Sequence, residues 1–292
     1  MSQMQHKPIK EKKMSSIKRQ HKILIIITYV FISIVGIIFL LPFVWMISSS
    51  LKTLEEIFQP GLNLLVKEPH WDNYVKALNA FPFFTYLKNT LITTIIPIIG
   101  VTLSSSLVAF GFARIKAPGS NILFLIVLAT MMIPSHVTMI PVFILFRNFN
   151  WINTLYPLIV PAFFGTPFFI FLMRQFFMRM PSNLEDAARI DGCSTFQIWA
   201  RIFLPLSWPA ITTVAIFEFM GKWNDFMGPL IYINSERLKT LSLGLMSFEG
   251  QYTTDINLLM AATLVVILPC IVLFFLAQRY FIEGITFTGS KE

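Results

Sequence analysis

The chain has 292 residues, of which 55% are hydrophobic and 13% are charged, and its mean hydropathy is +0.68. This composition excludes a soluble domain, because one core cannot bury so much apolar surface, and it places the chain in a bilayer. The formal net charge of +8 does not indicate nucleic-acid binding, because the basic residues lie in short segments beside apolar runs.

Long stretches without charge predict the membrane spans, because a hydrocarbon core about 30 Å thick requires roughly 20 apolar residues of helix. Five such runs are Ile23–Leu51, Asn89–Ala113, Ala117–Phe146, Asn148–Met173 and Ile256–Gln278. A sixth, Ile202–Phe217, reaches spanning length if its helix continues through Glu218 and Lys222. The sequence therefore predicts an all-α membrane protein with six transmembrane helices.

The first apolar run follows a basic segment, but it is longer than the ~7–15-residue core of a signal peptide, so we interpret it as a retained span. The chain is then divided into a basic tail at 1–22, a first span at 23–47, an extracytoplasmic loop at 48–84, a core at 85–280 and a second tail at 281–292. Within the core, spans are expected at about 89–112, 118–141, 154–174, 205–223 and 257–280.

The distribution of basic residues predicts the orientation. With the N-terminus in the cytoplasm and six spans, fifteen of the 23 lysines and arginines fall on the cytoplasmic side and eight on the other. Cytoplasmic loops of membrane proteins carry an excess of basic residues. Both termini are therefore expected in the cytoplasm, as is the loop over residues 182–205, and the chain is expected in the cell membrane in contact with lipid.

The loop at 182–205 contains two sequences typical of helix starts. Ser182-Asn-Leu-Glu185 and Ser194-Thr-Phe-Gln197 both have the capping-box pattern, in which the serine side chain and the acid or amide satisfy free backbone amides. The first helix should end at Gly192, since glycine favours the left-handed conformation that ends helices, and the second at Pro205. The loop is predicted to be a helix, a glycine joint and a second helix.

Helical spacing places Leu184, Ala187, Ala188 and Asp191 on one face of the first helix. The small alanines would allow another helix to approach closely. The pattern alone leaves two interpretations open, namely a docking element for another protein and an amphipathic connector that lies on the membrane surface.

The loop resembles a known signature. Asp186-Ala187-Ala188, three residues, Gly192, nine residues and then Ile202-Phe203-Leu204-Pro205 match the EAA, G and IxLP pattern of permease subunits of bacterial ABC importers, with Asp186 in place of the usual glutamate. The wider run from Glu185 to Gly192 is most similar to the carbohydrate-uptake branch, which includes the smaller maltose-type permease. Trp223-Asn-Asp-Phe226 with Pro229-Leu230, and Gln278-Arg-Tyr-Phe281 with Gly284, resemble the same branch, whereas Thr288–Glu292 departs from its usual ending.

This resemblance implies the type I ABC importer permease fold and a loop that acts as a coupling helix for a separate ATPase. The residues that match the signature, and would couple to the ATPase, are Glu185, Asp186, Ala187, Ala188, Gly192, Ile202, Leu204 and Pro205. It further implies a second related permease, an ABC ATPase dimer that uses ATP, and an extracytoplasmic solute-binding protein, for which the loop 224–255 is the expected contact. The chain has no G-x-x-x-x-G-K-[ST] phosphate loop, so it is expected to be a transport subunit without cofactor or metal.

Four residues near the outer end of the fifth span are candidates for the solute path: Glu218, Trp223, Asn224 and Asp225. Ionisable groups inside membranes are costly and usually functional, although Glu218 could instead be neutralised by Lys222 four residues later. The other three would meet the hydroxyl groups of a sugar at the external mouth. Two interpretations are open for Ser104, Ser105 and Ser106, lining of the path and close helix packing, of which packing is the stronger expectation.

Other classes are weaker matches to the sequence. A permease of the same architecture for amino acids, peptides or ions would share the coupling loop, whereas an ion-driven secondary transporter would typically show paired repeats, and none is evident. A membrane enzyme is disfavoured because His6, His21, His70 and His136 are scattered without the spacing of metal ligands.

Overall fold

The computed structural model describes residues 9–61, 63–250 and 255–289, and every regular element in these ranges is helical. The α-helices in chain order are α1 (Ile9–Ser50), α2 (Leu54–Ile57), α3 (Asp72–Asn79), α4 (Phe83–Arg114), α5 (Ser120–Ala129), α6 (Ser135–Asn148), α7 (Tyr156–Ile159), α8 (Pro167–Arg179), α9 (Asn183–Ile190), α10 (Thr195–Ile198), α11 (Leu204–Leu206), α12 (Trp208–Trp223), α13 (Met227–Tyr232), α14 (Leu241–Gly244) and α15 (Ile256–Gly289). Short 3-10 turns lie at Thr130–Met132, Val160–Phe164, Glu236–Leu238 and Leu245–Phe248, and a π-helical turn lies at Trp199–Phe203. The predicted all-α class is confirmed.

Four described stretches are long and apolar enough to cross a bilayer: His21–Ser50, Phe83–Arg114, Tyr156–Arg179 and Ile256–Gln278. Two bent pairs, Ser120–Met132 with Ser135–Asn148 and Thr195–Leu206 with Trp208–Trp223, would each add one span. The described residues therefore provide between four and six spans, and the count of six stays a prediction.

The expected third span at about 118–141 is not a single straight helix. Its two halves are bent by 98° on either side of Ile133 and Pro134. Ile133 is extended, with φ −82° and ψ 115°, because a residue that precedes proline is disfavoured in the helical conformation. The apolar composition of this run predicted a membrane span, but composition alone did not predict the break at Ile133 and Pro134.

Both terminal helices extend beyond the boundaries expected from composition. The first begins at Ile9, within the segment expected as a tail, and the last continues to Gly289, past residue 280. At the start of the chain, lysine, arginine and glutamine are good helix formers, so a change from apolar to basic residues need not end the first helix. Residues 1–8 of the first tail and 290–292 of the second lie outside the described residues.

The chain forms two compact units. The first comprises residues up to Tyr74 together with Ile256–Leu264, and it contains a buried polar cluster that follows α1. The Asn73 amide donates to the carbonyl oxygens of Ser50 and Lys52 at 3.0 and 2.9 Å, and the Ser48 hydroxyl donates to the Leu64 carbonyl oxygen at 2.8 Å. These bonds hold the segment after α1 in a defined conformation.

The second unit, Val75–Asp255 with the chain from Val265 onward, is organised around α4, which packs along α8 and α12. Near the C-terminal end of α4, the rings of Phe110, Phe177 and Phe203 are mutually packed with centroid distances of 5.0 to 6.2 Å. All three rings are buried. This aromatic cluster joins α4 and α8 to the π-helical turn, so it connects the chain before the loop at 182–205 to the C-terminal part of that loop.

Candidate functional site

The first helix of the loop, α9, ends as its sequence predicts. Gly192 has a φ of +81°, its amide donates to Arg189 O at 3.1 Å, and the Cys193 amide donates to Ala188 O at 2.9 Å. This pair of bonds is a Schellman motif, which satisfies the last free carbonyl groups of a helix. The predicted glycine joint is confirmed, and its geometry depends on a positive φ at Gly192.

The capping box predicted at the start of α9 is wrong. Ser182 has helical dihedral angles, φ −65° and ψ −26°, and its side chain makes no capping hydrogen bond. Glu185 is bonded to Arg189 instead, with 2.7 Å between its Oε1 and Nη2 of Arg189. An acid that precedes a base by four residues favours this pairing on the helix surface, so Glu185 does not turn back to the first residue.

The second capping box is confirmed. The Gln197 amide donates to Ser194 Oγ at 3.3 Å, and the Ser194 amide donates to Gln197 Oε1 at 2.8 Å. The helix it starts does not end at Pro205 as expected. It passes through the π-helical turn and ends at Leu206, with a 78° bend before α12. In this wider turn the Leu204 amide donates to Trp199 O, five residues earlier. The next residue, Pro205, has no backbone N–H to donate.

The face of α9 that carries Leu184, Ala187, Ala188 and Asp191 is exposed except at Ala188, which is buried in the core with the three phenylalanine rings. A neighbouring set at the spacing of one helical face is exposed at every position, and we call it the outward face: Asn183, Asp186, Ala187 and Ile190. Ile190 is 87% exposed and is the most exposed apolar side chain of α9. Ala187 is therefore exposed to solvent, whereas Ala188 is packed in the core, and Ile190 lies on the outward face.

The remaining signature residues follow the joint. Ile202 and Leu204 are half-buried and pack against the aromatic core, while Pro205 is exposed. Beside the outward face lies a cavity of about 1180 Å³, which is lined by residues 112–122, Arg174, Ser182, Glu185, Asp186, Arg189 and Thr195. The loop thus presents a helix and an adjacent concave surface that carries charges of both signs.

The two serines at the helix starts provide a matched test of capping. Ser194→Ala should destabilise the start of α10 by about 1 kcal/mol, because the Gln197 amide loses its acceptor. This loss corresponds to roughly fivefold faster hydrogen exchange of that amide. Ser182→Ala should leave exchange at the start of α9 unchanged, since the Ser182 side chain caps nothing. Equal effects of the two substitutions would contradict the assignment.

Among the candidates for the solute path, Trp223 is not at an open surface. Its ring is 4% exposed, its indole N–H donates to the Val266 carbonyl oxygen at 3.0 Å, and it stacks on Phe219 at 5.2 Å. Trp223 therefore joins α12 to α15 in this conformation. Its contact with a solute stays a prediction.

Glu218 and Lys222 are both half-buried, but no ion pair within 4 Å joins them among the described residues. The Lys222 ammonium lies 3.4 Å from the carbonyl oxygen of Leu158. The two side chains thus make no direct contact, and neutralisation of Glu218 by Lys222 stays a prediction. Glu218 is half-buried in α12, and its role in the solute path stays a prediction.

Asn224 and Asp225 are used locally. The exposed Asn224 amide donates to Met220 O at 2.8 Å, and Asp225 Oδ1 accepts from the Gly228 amide at 3.0 Å. Asp225 also receives the Ser242 hydroxyl on its backbone carbonyl at 2.7 Å. These bonds fix the turn between α12 and α13, and a role for either residue in solute contact stays a prediction.

Comparison with known sequences identifies the family. The family described as binding-protein-dependent transport system inner membrane component matches residues 100–286, which include the whole loop with Gly192 and the outward face of α9. The chain belongs to this family of ABC importer permeases.

Two relatives of this permease cover most of its length. The arabinooligosaccharides transport system permease protein AraQ of Bacillus subtilis is 34% identical over 89% of this chain and 94% of its own. The trehalose/maltose transport system permease protein MalG of Thermococcus litoralis is 30% identical over 88% of this chain and 94% of its own. A crystal structure of a bacterial ABC transporter that imports the polysaccharide alginate has a TM-score of 0.80 at 22% identity, covering 90% and 98% of the two chains. That likeness confirms the predicted permease fold.

Sequence reasoning missed one polar cluster of this permease. Glu236 accepts hydrogen bonds from the Tyr86 hydroxyl at 2.6 Å and from the Lys239 ammonium. The bond from Lys239, followed by that from Tyr86, holds the pKa of the Glu236 carboxyl below its usual range. The partners are far apart in sequence, and no local pattern marks them.

Proposed function

We propose that this chain forms one half of the translocation path of an ATP-driven importer for an oligosaccharide. The observation that carries the proposal is the loop at 182–205, in a chain of the ABC importer permease family. Its glycine joint, exposed outward face and adjacent cavity form a compact docking element. This geometry supports the docking interpretation over a connector that lies on the membrane surface, because Ile190 and Asp186 are exposed on the same face.

In this proposal the loop contacts a separate ATPase. Asp186 pairs with a basic or amide group of that subunit, Ala187 permits close approach, and Ile190 supplies apolar contact. Gly192 sets the angle between the two short helices, while Ile202 and Leu204 pass movement to the aromatic core against which they pack. Pro205 and the adjacent bend carry that movement into α12. Each role agrees with the exposure or burial of the side chain.

The assignment of a sugar rests on two kinds of support. The relatives named for arabinooligosaccharides and for trehalose and maltose align over nearly the whole chain. The run from Glu185 to Gly192 and the Trp223–Phe226 segment also resemble the carbohydrate-uptake branch. In this proposal Glu218 contributes to the solute path, since its carboxylate is half-buried within a span and has no paired cation within 4 Å among the described residues.

The complete importer then requires a second related permease, an ABC ATPase dimer that hydrolyses ATP, and a solute-binding protein outside the membrane. The excess of basic residues supports cytoplasmic termini and a cytoplasmic coupling loop. The loop 224–255 lies on the opposite side and contacts the binding protein. Its residues 251–254 lie outside the described part of the chain.

The test is transport by the assembled complex in vesicles. The chain is co-expressed with its partner subunits, purified in mild detergent and reconstituted with labelled arabino- and malto-oligosaccharides, amino acids and dipeptides. ATP-dependent uptake of an oligosaccharide is expected. Uptake of amino acids or peptides alone would assign the chain to another solute class, and uptake driven by an ion gradient without ATP would overturn the proposal.

A further inference from the structure

Helix α4 contacts two segments that have roles in the proposed function. One is the segment 236–241, which belongs to the loop proposed to contact the binding protein. The other is the coupling loop, which is proposed to contact the ATPase on the opposite face of the membrane. Helix α4 has 32 residues and is continuous from Phe83 to Arg114, which corresponds to about 48 Å at 1.5 Å per residue. The segment 236–241 is bound near the first residues of α4. The chain just before the coupling loop and the last part of that loop are bound at the last residue of α4.

The first end of α4 holds the segment 236–241 through buried side chains. The Asn89 amide donates to the carbonyl oxygens of Arg237 and Lys239 at 2.9 and 2.8 Å, and Thr90 Oγ1 accepts the Leu241 amide at 2.9 Å. Asn89 and Thr90 are both buried. Asn89 uses both of its donor hydrogens on this one segment, so the segment cannot move away from α4 without losing them.

The other end of α4 contacts, through one side chain, the chain just before the coupling loop and the C-terminal part of that loop. Nη2 of Arg114 donates to the carbonyl oxygens of Phe177, at 2.7 Å, and of Met180, at the end of α8. A guanidinium is well suited to the free carbonyls at a helix C-terminus. Cζ of the same group lies 4.8 Å from the centre of the Phe203 ring, in the π-helical turn near the end of the loop. Arg114 therefore joins α4 to the chain before and after residues 182–198.

The middle of α4 is also fastened. Ser104 Oγ donates to Ala162 O at 3.0 Å, and Ser105 Oγ accepts the Thr166 amide at 3.1 Å. A Cβ atom at Gly100 would lie 2.8 Å from the Phe163 ring, so the two segments are in close contact there. Pro97 removes one hydrogen bond inside the helix, but the helix continues through it. These contacts hold the middle of α4 in register with the neighbouring segment 162–166.

We propose that α4 transmits conformational change between the segment 236–241 and the coupling loop, with Asn89 and Arg114 as the positioning residues at its two ends. This inference rests on the proposed function, which supplies the binding protein on one face and the ATPase on the other. Coupling between two binding sites is a free energy, and it typically changes the affinity at one site by 5- to 150-fold when the other is occupied.

The test uses the complete importer with its solute-binding protein. The quantity measured is the ratio of ATP hydrolysis with solute-loaded binding protein to hydrolysis without it. Arg114→Gln removes the charge that binds Phe177 and Met180, and Asn89→Leu removes both donors to the segment 236–241. Each should lower the ratio about fivefold or more. Arg114→Lys should restore part of it, because an ammonium can still donate to the carbonyl oxygens.

Ser106→Ala is the matched control. Ser106 is also a buried polar residue of α4, but its hydroxyl donates to the Leu103 carbonyl oxygen of the same helix at 3.0 Å, so it binds neither the segment 236–241 nor the chain beside the coupling loop. Its replacement should leave the ratio within twofold of the unmodified complex. An equal loss in all three variants would indicate a general loss of packing and overturn the proposal.

The double variant Asn89→Leu with Arg114→Gln tests whether both residues act through the same helix or independently of each other. If α4 carries the signal, breaking the second end adds little after the first, so the double variant should match the lower of the two single variants. Multiplication of the two losses would overturn the proposal. Absence of any stimulation in the unmodified complex would overturn the proposed function itself, and the role of α4 with it.

Discussion

Replacing Gly192 by proline is expected to lower ATP-driven uptake by at least about tenfold while the chain still inserts in the membrane. Gly192 has a φ of +81°, whereas the proline ring fixes φ near −65°. The substitution also removes the amide that donates to Arg189 O, so the Schellman motif is lost. A Cβ atom at this position would meet no other atom within 4 Å, and the effect therefore acts through the backbone alone.

Two further substitutions at the same position serve as controls. Asparagine tolerates the left-handed conformation better than other residues with a side chain, so Gly192→Asn should retain most of the uptake. Gly192→Ala should be intermediate, since the left-handed conformation costs alanine about 1–2 kcal/mol. The measurement is uptake in vesicles at equal amounts of inserted protein. Normal transport by the proline variant would exclude the loop from the coupling role.

Replacing Ile190 by aspartate is expected to weaken binding of the ATPase by about 30-fold or more. Ile190 is the most exposed apolar side chain of α9, and in the docking proposal it enters a groove of the ATPase. Truncating an apolar anchor at the centre of an interface costs about 2 kcal/mol or more, and a buried unpaired carboxylate adds to that loss. The measurement is the affinity of the detergent-solubilised permease pair for the purified ATPase.

Leu65 offers the matched control, because it is also 87% exposed but belongs to the segment expected outside the membrane. Leu65→Asp should leave the affinity for the ATPase unchanged, and Ile190→Val should reduce it only slightly because an apolar contact remains. Equal affinities of the Ile190→Asp and Leu65→Asp variants would show that the outward face of α9 does not bind the ATPase.

Local rules predicted the parts of the loop that depend on neighbouring residues. The Ser194 capping box and the turn at Gly192 each involve residues within five positions of one another, so sequence spacing was sufficient. The same rule was wrong at Ser182, where Glu185 is bonded to Arg189. It also missed Thr53-Leu-Glu-Glu56, which has the same signature and forms a complete capping box. A local pattern indicates which bonds are possible, and competing partners decide which ones form.

Composition predicted the apolar runs but not the contacts between them. Asn89 and Lys239 are 150 residues apart, and Arg114 and Met180 are 66 apart, so no spacing rule connects them. The side on which Ala188 and Ile190 lie was likewise hidden, because it depends on how α9 rests on the phenylalanine rings. Polar residues in helices, such as Asn89, are the one sequence signal that could have directed attention to these contacts, since a buried amide requires partners.

The π-helical turn at Trp199–Phe203 has a consequence for how this segment tolerates change in length. Its hydrogen bond spans five residues, whereas an α-helical hydrogen bond spans four, so the turn contains one additional residue. Each residue of an α-helix adds about 100° of rotation. Deleting a single residue here would restore ordinary helical bonding and rotate α12 by about that angle relative to α9. The number of residues between Gly192 and Pro205 therefore determines the rotation of α12 relative to α9. Substitutions within the segment keep this number and should be far better tolerated than insertions or deletions.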